Sequence, residues 1–218
     1  MSPNQTSAQH RQNELKGYFL GFLGVAIFSA TLPVTKLAVG TDASPLMSGQ
    51  FVAFARAVIA GTLSLLWLLW VRPAIPKGRD WLLLAVTACG VVFGFPLLTS
   101  HAMRYVDGTH ASVVLGLMPL ATALCGALVY RRRPPSAFWL ASLAGCGLVM
   151  AFTIWRGQGE LGANAIGLSF ADVMLFGAVV LGAIGYASGA VLATRHRSET
   201  VISWALVISL PLTTIGAW

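Results

Sequence analysis

Charge is what this sequence has least of. Only 10% of its 218 residues are Asp, Glu, Lys or Arg, against roughly 25% in a soluble domain. Acidic residues number just seven. Clusters of acidic residues, or of His with Arg, of the kind a lipid-phosphate enzyme needs are absent. Cysteine is scarce as well. Cys89, Cys125 and Cys146 each fall inside an apolar run, where an isolated thiol behaves as a small hydrophobe. Their odd count and positions exclude a disulfide framework. No Cys/His spacing resembles a metal site, so neither a metal nor a prosthetic cofactor is expected. Alternation of apolar and polar residues over ~10-residue strands, the mark of a membrane β-barrel, is missing too. So is a small-x-small cleavage site after the first apolar run. That run exceeds the ~7–15 residues of a signal-peptide core and reads as a retained span.

What is present is apolar. Hydrophobic residues make up 56% of the chain, and the mean hydropathy is +0.76. A spanning helix needs ~20 mostly apolar residues. Seven runs qualify: 17–39, 48–71, 81–100, 109–130, 137–155, 169–194 and 201–218. The fold class is therefore all-α: a polytopic transmembrane helix bundle of about seven spans.

The net charge of +7 is explained by the loops. Arg11, Lys16, Arg72, Lys77, Arg79, Arg131, Arg132, Arg133, Arg195 and Arg197 lie on one side of the alternating spans. Only Arg104 and Arg156 lie on the other. By the positive-inside rule the N-terminus is cytoplasmic, in an inner or plasma membrane. No basic segment interleaved with aromatics is present, so no nucleic-acid partner is expected. The expected partners are the lipid bilayer and a small-molecule substrate.

Small residues recur at four-residue spacing within spans. Gly17, Gly21 and Gly24 share the first, Gly90 and Gly94 the third, Gly185 and Gly189 the sixth. Such spacing lets helix backbones approach closely. Pro33, Pro96 and Pro119 also lie within spans. Each removes a backbone hydrogen bond and tends to kink its helix; broken helices often line transport paths, while in a passive bundle such prolines only shape packing, the plainer reading of any one of them.

Ionisable residues inside a membrane cost ~2.5–3.5 kcal/mol at mid-helix and usually face a cavity. Arg56 is the best candidate, about two turns into the second span, with Gln50 before it and Thr62 after it. Lys36 lies near the outer end of the first span, one turn after Pro33, where snorkelling to the interface is the plainer reading. Together the two would make the outer half of a cavity cationic and favour anionic or zwitterionic substrates. Gln50, Thr99, Pro33 and Pro119 complete the substrate-pathway candidates. His101, Asp107 and His110 surround the third outer loop, and Asp172 opens the sixth span as an N-cap or dipole partner. These four are the proton-coupling candidates; a solvated turn is the plainer reading of the first three.

Several stretches resemble a known family. They are Ile27-Phe28-Ser29-Ala30-Thr31-Leu32-Pro33-Val34-Thr35-Lys36, Phe54-Ala55-Arg56, Ala102-Met103-Arg104-Tyr105, Leu117-Met118-Pro119-Leu120 and the opening of a second repeat at 167–172. In order and spacing they are similar to the EamA-type branch of the drug/metabolite transporter superfamily. Two positions depart from it: Phe28 stands where many relatives carry Trp, and Arg132 where many carry an acidic residue. The resemblance implies ten spans as two inverted five-helix repeats, as in many secondary transporters. It divides the chain into a polar cytoplasmic tail (1–16), a first five-helix repeat (17–155), an external linker (156–168) and a truncated second repeat of two helices (169–218). It implies a non-catalytic exporter or importer of small metabolites, such as amino acids or related compounds. A homodimer, or a partner supplying the missing helices, would complete it.

Other readings are a structural or accessory membrane protein, an inactive truncated transporter, or a seven-helix receptor. A retinal protein needs a lysine in its final span, and the seventh run has none. Ser188-Gly189 resembles an intramembrane serine protease only loosely, and no later span holds a histidine to act as base.

Overall fold

The structure is a computed structural model. It describes residues 3–130, 135–157 and 170–218, with side chains from Leu15 onward except those of 129–130, 146, 149–150 and 152–157. Arg131, Arg132, Arg133, the side chains of Cys146 and Arg156, and the greater part of the expected linker lie outside the described residues. Every element among the described residues is helical apart from one isolated bridge between Gly40 and Pro45.

The elements are α1 (Pro3–Ser29), α2 (Thr31–Val39), α3 (Gly49–Val71), α4 (Asp80–Thr87), a π-helical segment (Ala88–Gly94), α5 (Phe95–Tyr105), α6 (Gly108–Leu115), α7 (Met118–Tyr130), α8 (Ser136–Gly157), α9 (Phe170–Ala193) and α10 (Ser198–Gly216). Six crossings among the described residues are long and apolar enough to span a bilayer: Leu15–Val39, Gly49–Val71, Asp80–Tyr105, Gly108–Leu128, Phe170–Ala193 and Ser198–Gly216. The 22-residue α8 takes the place of the fifth predicted span. The bundle of about seven spans stands.

Its boundaries differ from the expected ones in two places. The segment read as a polar tail continues the first helix back to Pro3. Proline is tolerated in a helix's first turn, and nothing between it and Ser29 breaks the ladder. The third span runs on past Ser100 to Tyr105, so His101 and Arg104 are helical rather than part of a loop. Elsewhere local chemistry set the ends as read. Ser48 caps α3, its Oγ accepting from the Phe51 amide at 3.0 Å. Arg72 closes that helix in the left-handed region (φ 49), and Pro73 prevents its continuation.

Helix α9 is the centre of the bundle. It packs against α4, the π segment, α5, α6, α7 and α10, while α10 lies along α3. Two apolar clusters secure its ends. Val39, Ala102, Met103, Ala111, Ala171 and Leu175 join α2, α5, α6 and α9 at one end. Leu84, Ala88, Leu192, Val201 and Ala205 join α4, the π segment, α9 and α10 at the other, where Trp81 and Trp204 meet edge to face at 5.8 Å. Between the clusters the π segment crosses α9 at Gly90 and Gly185. A Cβ on Gly90 would collide with the Leu181 carbonyl oxygen and stand 2.7 Å from the Gly185 Cα. Only glycine permits this approach.

Candidate functional site

Among the described residues, three spans are interrupted. The first breaks at Ala30, between α1 and α2. Pro33 has no N–H to offer the Ser29 carbonyl; the Ala30 amide instead closes a tight bond to Ile27 at 3.3 Å, and Ser29 Oγ donates back to Ala26 O at 2.7 Å. The third slips register through the π segment, where the Phe95 amide reaches back to Gly90 O. Pro96 follows, where its missing donor costs least. The fourth breaks between Leu115 and Met118, with Gly116 and Leu117 in tight turns, and Pro119 restarts the helix. The three prolines thus mark the interruptions. By the 1.5 Å rise per residue, the first and fourth breaks lie roughly 12–14 Å from the helix ends at Val39 and Gly108, and the π segment roughly 16–26 Å from the end at Tyr105.

A cavity of about 280 Å³ opens where these breaks meet. Phe28, Ser29, Thr31 and Leu32 reach it from the first break, Phe95 and Thr99 from the third span, and Leu115 and Met118 from the fourth. Arg56 of α3 and Tyr186 of α9 close it. Phe28 and Phe95 stack across its wall, their centroids 6.4 Å apart. The lining is mainly apolar with a few polar groups, as in small-molecule sites generally. Two of those groups stand out. Arg56 has no hydrogen bond or ion pair to the other described residues. Thr99 is 4% exposed, and its Oγ1 is buried without a hydrogen-bond partner.

The structure sorts the pathway candidates. Arg56 and Thr99 line the cavity. Pro33 and Pro119 do not, and shape it through the breaks. Lys36 points away from the cavity, and its Nζ donates to Met103 O at 2.7 Å and Val106 O at 2.8 Å. It thereby caps the carbonyl end of α5, where a cation suits the helix dipole. Gln50 Nε2 donates to Gly216 O at 3.1 Å, tying α3 to the end of α10.

The proton-coupling candidates separate as well. His101 Nδ1–H donates to Leu97 O within its own helix at 2.9 Å. Asp107 caps α6, accepting from the His110 amide at 2.8 Å. His110 Nε2–H donates to Asp172 Oδ1 at 2.5 Å, joining the first turns of α6 and α9. The Asp172 side chain is largely enclosed, and that of His110 is half exposed.

Two features were passed over in the sequence. Tyr186 was not singled out, although it is the tyrosine of the sixth span. At the opposite face, Asp80 accepts from His196 Nε2 at 3.0 Å and from Arg195 Nη1 at 3.5 Å. Helix α9 is thus pinned at both ends by a histidine–aspartate pair. Residues that flank predicted span ends gave no sign of meeting 116 positions apart. Among the described residues no three His, Cys, Asp or Glu side chains converge to hold a metal.

Comparison with known proteins supplies the family. Residues 15–154 match the EamA-like transporter family. The chain is 45% identical over 196 residues to the uncharacterized transporter YdeK of Bacillus subtilis, covering 90% of this chain and 64% of that protein. It is 26% identical over 162 residues to an uncharacterized transporter of Archaeoglobus fulgidus, covering 72% of this chain and 53% of the relative. The chain therefore spans less than two thirds of the length of either relative. No solved structure matches it.

Proposed function

We propose that this chain, which belongs to the EamA-like transporter family, is the substrate-holding part of a secondary membrane transporter. It moves small metabolites, such as amino acids or related compounds, by alternating access. The observation that carries this reading is the cavity bounded by interruptions in three spans. Interrupted helices are costly in lipid unless they are buried in protein or line a cavity, and in transporters they form the substrate site near the midplane. The reading requires no catalytic chemistry.

The same reading places the chain in the inner or plasma membrane with its N-terminus in the cytoplasm, on the strength of the loop charges. It takes 17–155 as a first repeat, with α9 and α10 opening a second. It takes the functional unit to include further helices, from a second copy or a partner chain. His110 and Asp172 serve as the proton-coupling pair: a carboxylate and an imidazole in contact can exchange and release a proton as the helices separate.

Counterflow in proteoliposomes tests the reading. The purified chain is expected to exchange at least one labelled member of a panel of amino acids and nucleobase-like metabolites. Thr31→Trp, which fills the cavity, should abolish exchange while the protein remains monodisperse in detergent. Exchange that survives the plugged cavity would overturn the site assignment. Asp172→Asn should keep counterflow but end accumulation driven by a proton gradient; unchanged accumulation would remove the pair from coupling.

A further inference from the structure

We propose that the cavity selects a small organic monoanion: one carboxylate held by Arg56 and Thr99, and an apolar body held between Phe28, Phe95 and Met118. This deepens the transporter reading and rests on it for the site's purpose. The cation comes first. Arg56 lines the cavity and has no carboxylate partner among the described residues. The Arg56 side chain is exposed beside a mainly apolar lining within a span, where a guanidinium is costly unless it meets water or an anion, and its fork matches a carboxylate in a bidentate pair. The second observation is independent. Thr99 lines the same cavity, is almost wholly buried, and its Oγ1 has no hydrogen-bond partner. Its neighbour Ser100 bears a similarly unpartnered hydroxyl, but Ser100 does not line the cavity. A buried hydroxyl is normally satisfied, and a rotation about χ1 to another staggered rotamer would turn this one to an acceptor on the ligand.

The charge of the ligand follows from Lys36. Sequence reasoning grouped Lys36 with Arg56 as a doubly cationic surface. The Lys36 ammonium is instead committed to Met103 O and Val106 O and does not line the cavity. Among the described residues one cation remains to face the ligand, and it balances one negative charge. A phosphate monoester, which carries ≈ −1.5 to −2 charge at pH 7, would bury surplus charge against Phe28, Leu32, Phe95 and Met118. The size follows from the volume. About 280 Å³ sits at the small end of ligand pockets and fits a body of the dimensions of a leucine side chain.

Equilibrium binding to the purified chain in detergent, read with labelled isocaproate and by competition, tests this. The competitors are leucine, the neutral isocaproamide and isopentyl phosphate. Isocaproate should compete better than leucine and at least about tenfold better than isocaproamide, the value of a charge-assisted hydrogen-bonded pair over a neutral one. Isopentyl phosphate should compete no better than isocaproate. Leucine binding tighter than isocaproate would overturn the monoanion assignment, because a zwitterion has no net charge and the described lining offers its ammonium no carboxylate. Arg56→Gln should lose about tenfold for the carboxylates and leave isocaproamide unchanged, which also shows that the variant is folded. Arg56→Lys should recover part of the loss, and Thr99→Val should cost a few-fold. Amide binding equal to acid binding, tighter phosphate binding, an indifferent Arg56→Gln, or no binding of any probe would each overturn the proposal. Carboxylate binding without counterflow would instead sink the transporter reading and leave the site standing.

Discussion

Helices α1 and α9 are alike in sequence and opposite in circumstance. The crossing part of α1 from Leu15 and the whole of α9 are apolar, and both carry glycine near four-residue spacing. In α9 those glycines are contacts. Gly185 meets Gly90, Gly182 lies under Met118 and Phe95, and Gly189 faces Thr87. In α1 an added Cβ at Gly17, Gly21 or Gly24 would meet nothing within 4 Å. Phe19, Leu20, Phe22 and Val25 are exposed around them. The difference teaches that small-residue spacing permits a close crossing and does not cause one. The crossing also needs a partner offering its own gap, which Gly90 supplies to α9. The ends differ in the same way: α9 is held at both by side-chain pairs, whereas the described contacts of α1 gather near its last turn, against α2 and through Phe28 on Phe95.

Substitutions can break this contrast. Gly90→Val should have the largest effect, because its side chain would be driven into the backbone of α9, which cannot rotate aside. About 3 kcal/mol of stability should be lost, seen as a large drop in thermal midpoint in detergent; an unchanged midpoint would mean the crossing is looser than described. Asp80→Asn comes next. It removes the charge that holds His196 and Arg195 and should cost about 1.5 kcal/mol, with faster amide exchange at the last turn of α9. Asp172→Asn should cost about 1 kcal/mol, with exchange faster at the first turn instead. If both aspartate variants loosened the same end, independent pinning would be refuted. Gly21→Ala on α1 should fall within about 0.5 kcal/mol of the parent. A larger loss that depends on protein concentration would show a neighbour on that face and erase the contrast.

Much of the bundle was legible beforehand because hydropathy and loop charge act locally. A run of apolar residues must bury its backbone polarity in a helix wherever it finds lipid, so the spans were readable without knowing their neighbours. Pro33, Pro96 and Pro119 were readable as kinks for the same reason, the lost donor being a property of the residue itself, but not that a break would accompany each of them. Arg56 was legible because a cation within an apolar run needs an explanation. Lys36 looked equivalent and was not, since the carbonyls it caps lie 67 and 70 residues away. His110 and Asp172 were each noticed, and their pairing was not. Asp80 and His196 were passed over entirely. Such pairs depend on which helix ends come together, and periodicity along one helix carries no record of that.

The sequence by itself thus determined the class, the crossings and the three weak points in the ladder, since each follows from a residue's own solvation or its own missing hydrogen bond. Tertiary structure decided which glycines touch, that three breaks share one cavity, and that Arg56 faces it while Lys36 is spent elsewhere. Those outcomes are set by packing between residues far apart in the chain, where a side chain's role depends on the neighbours it meets.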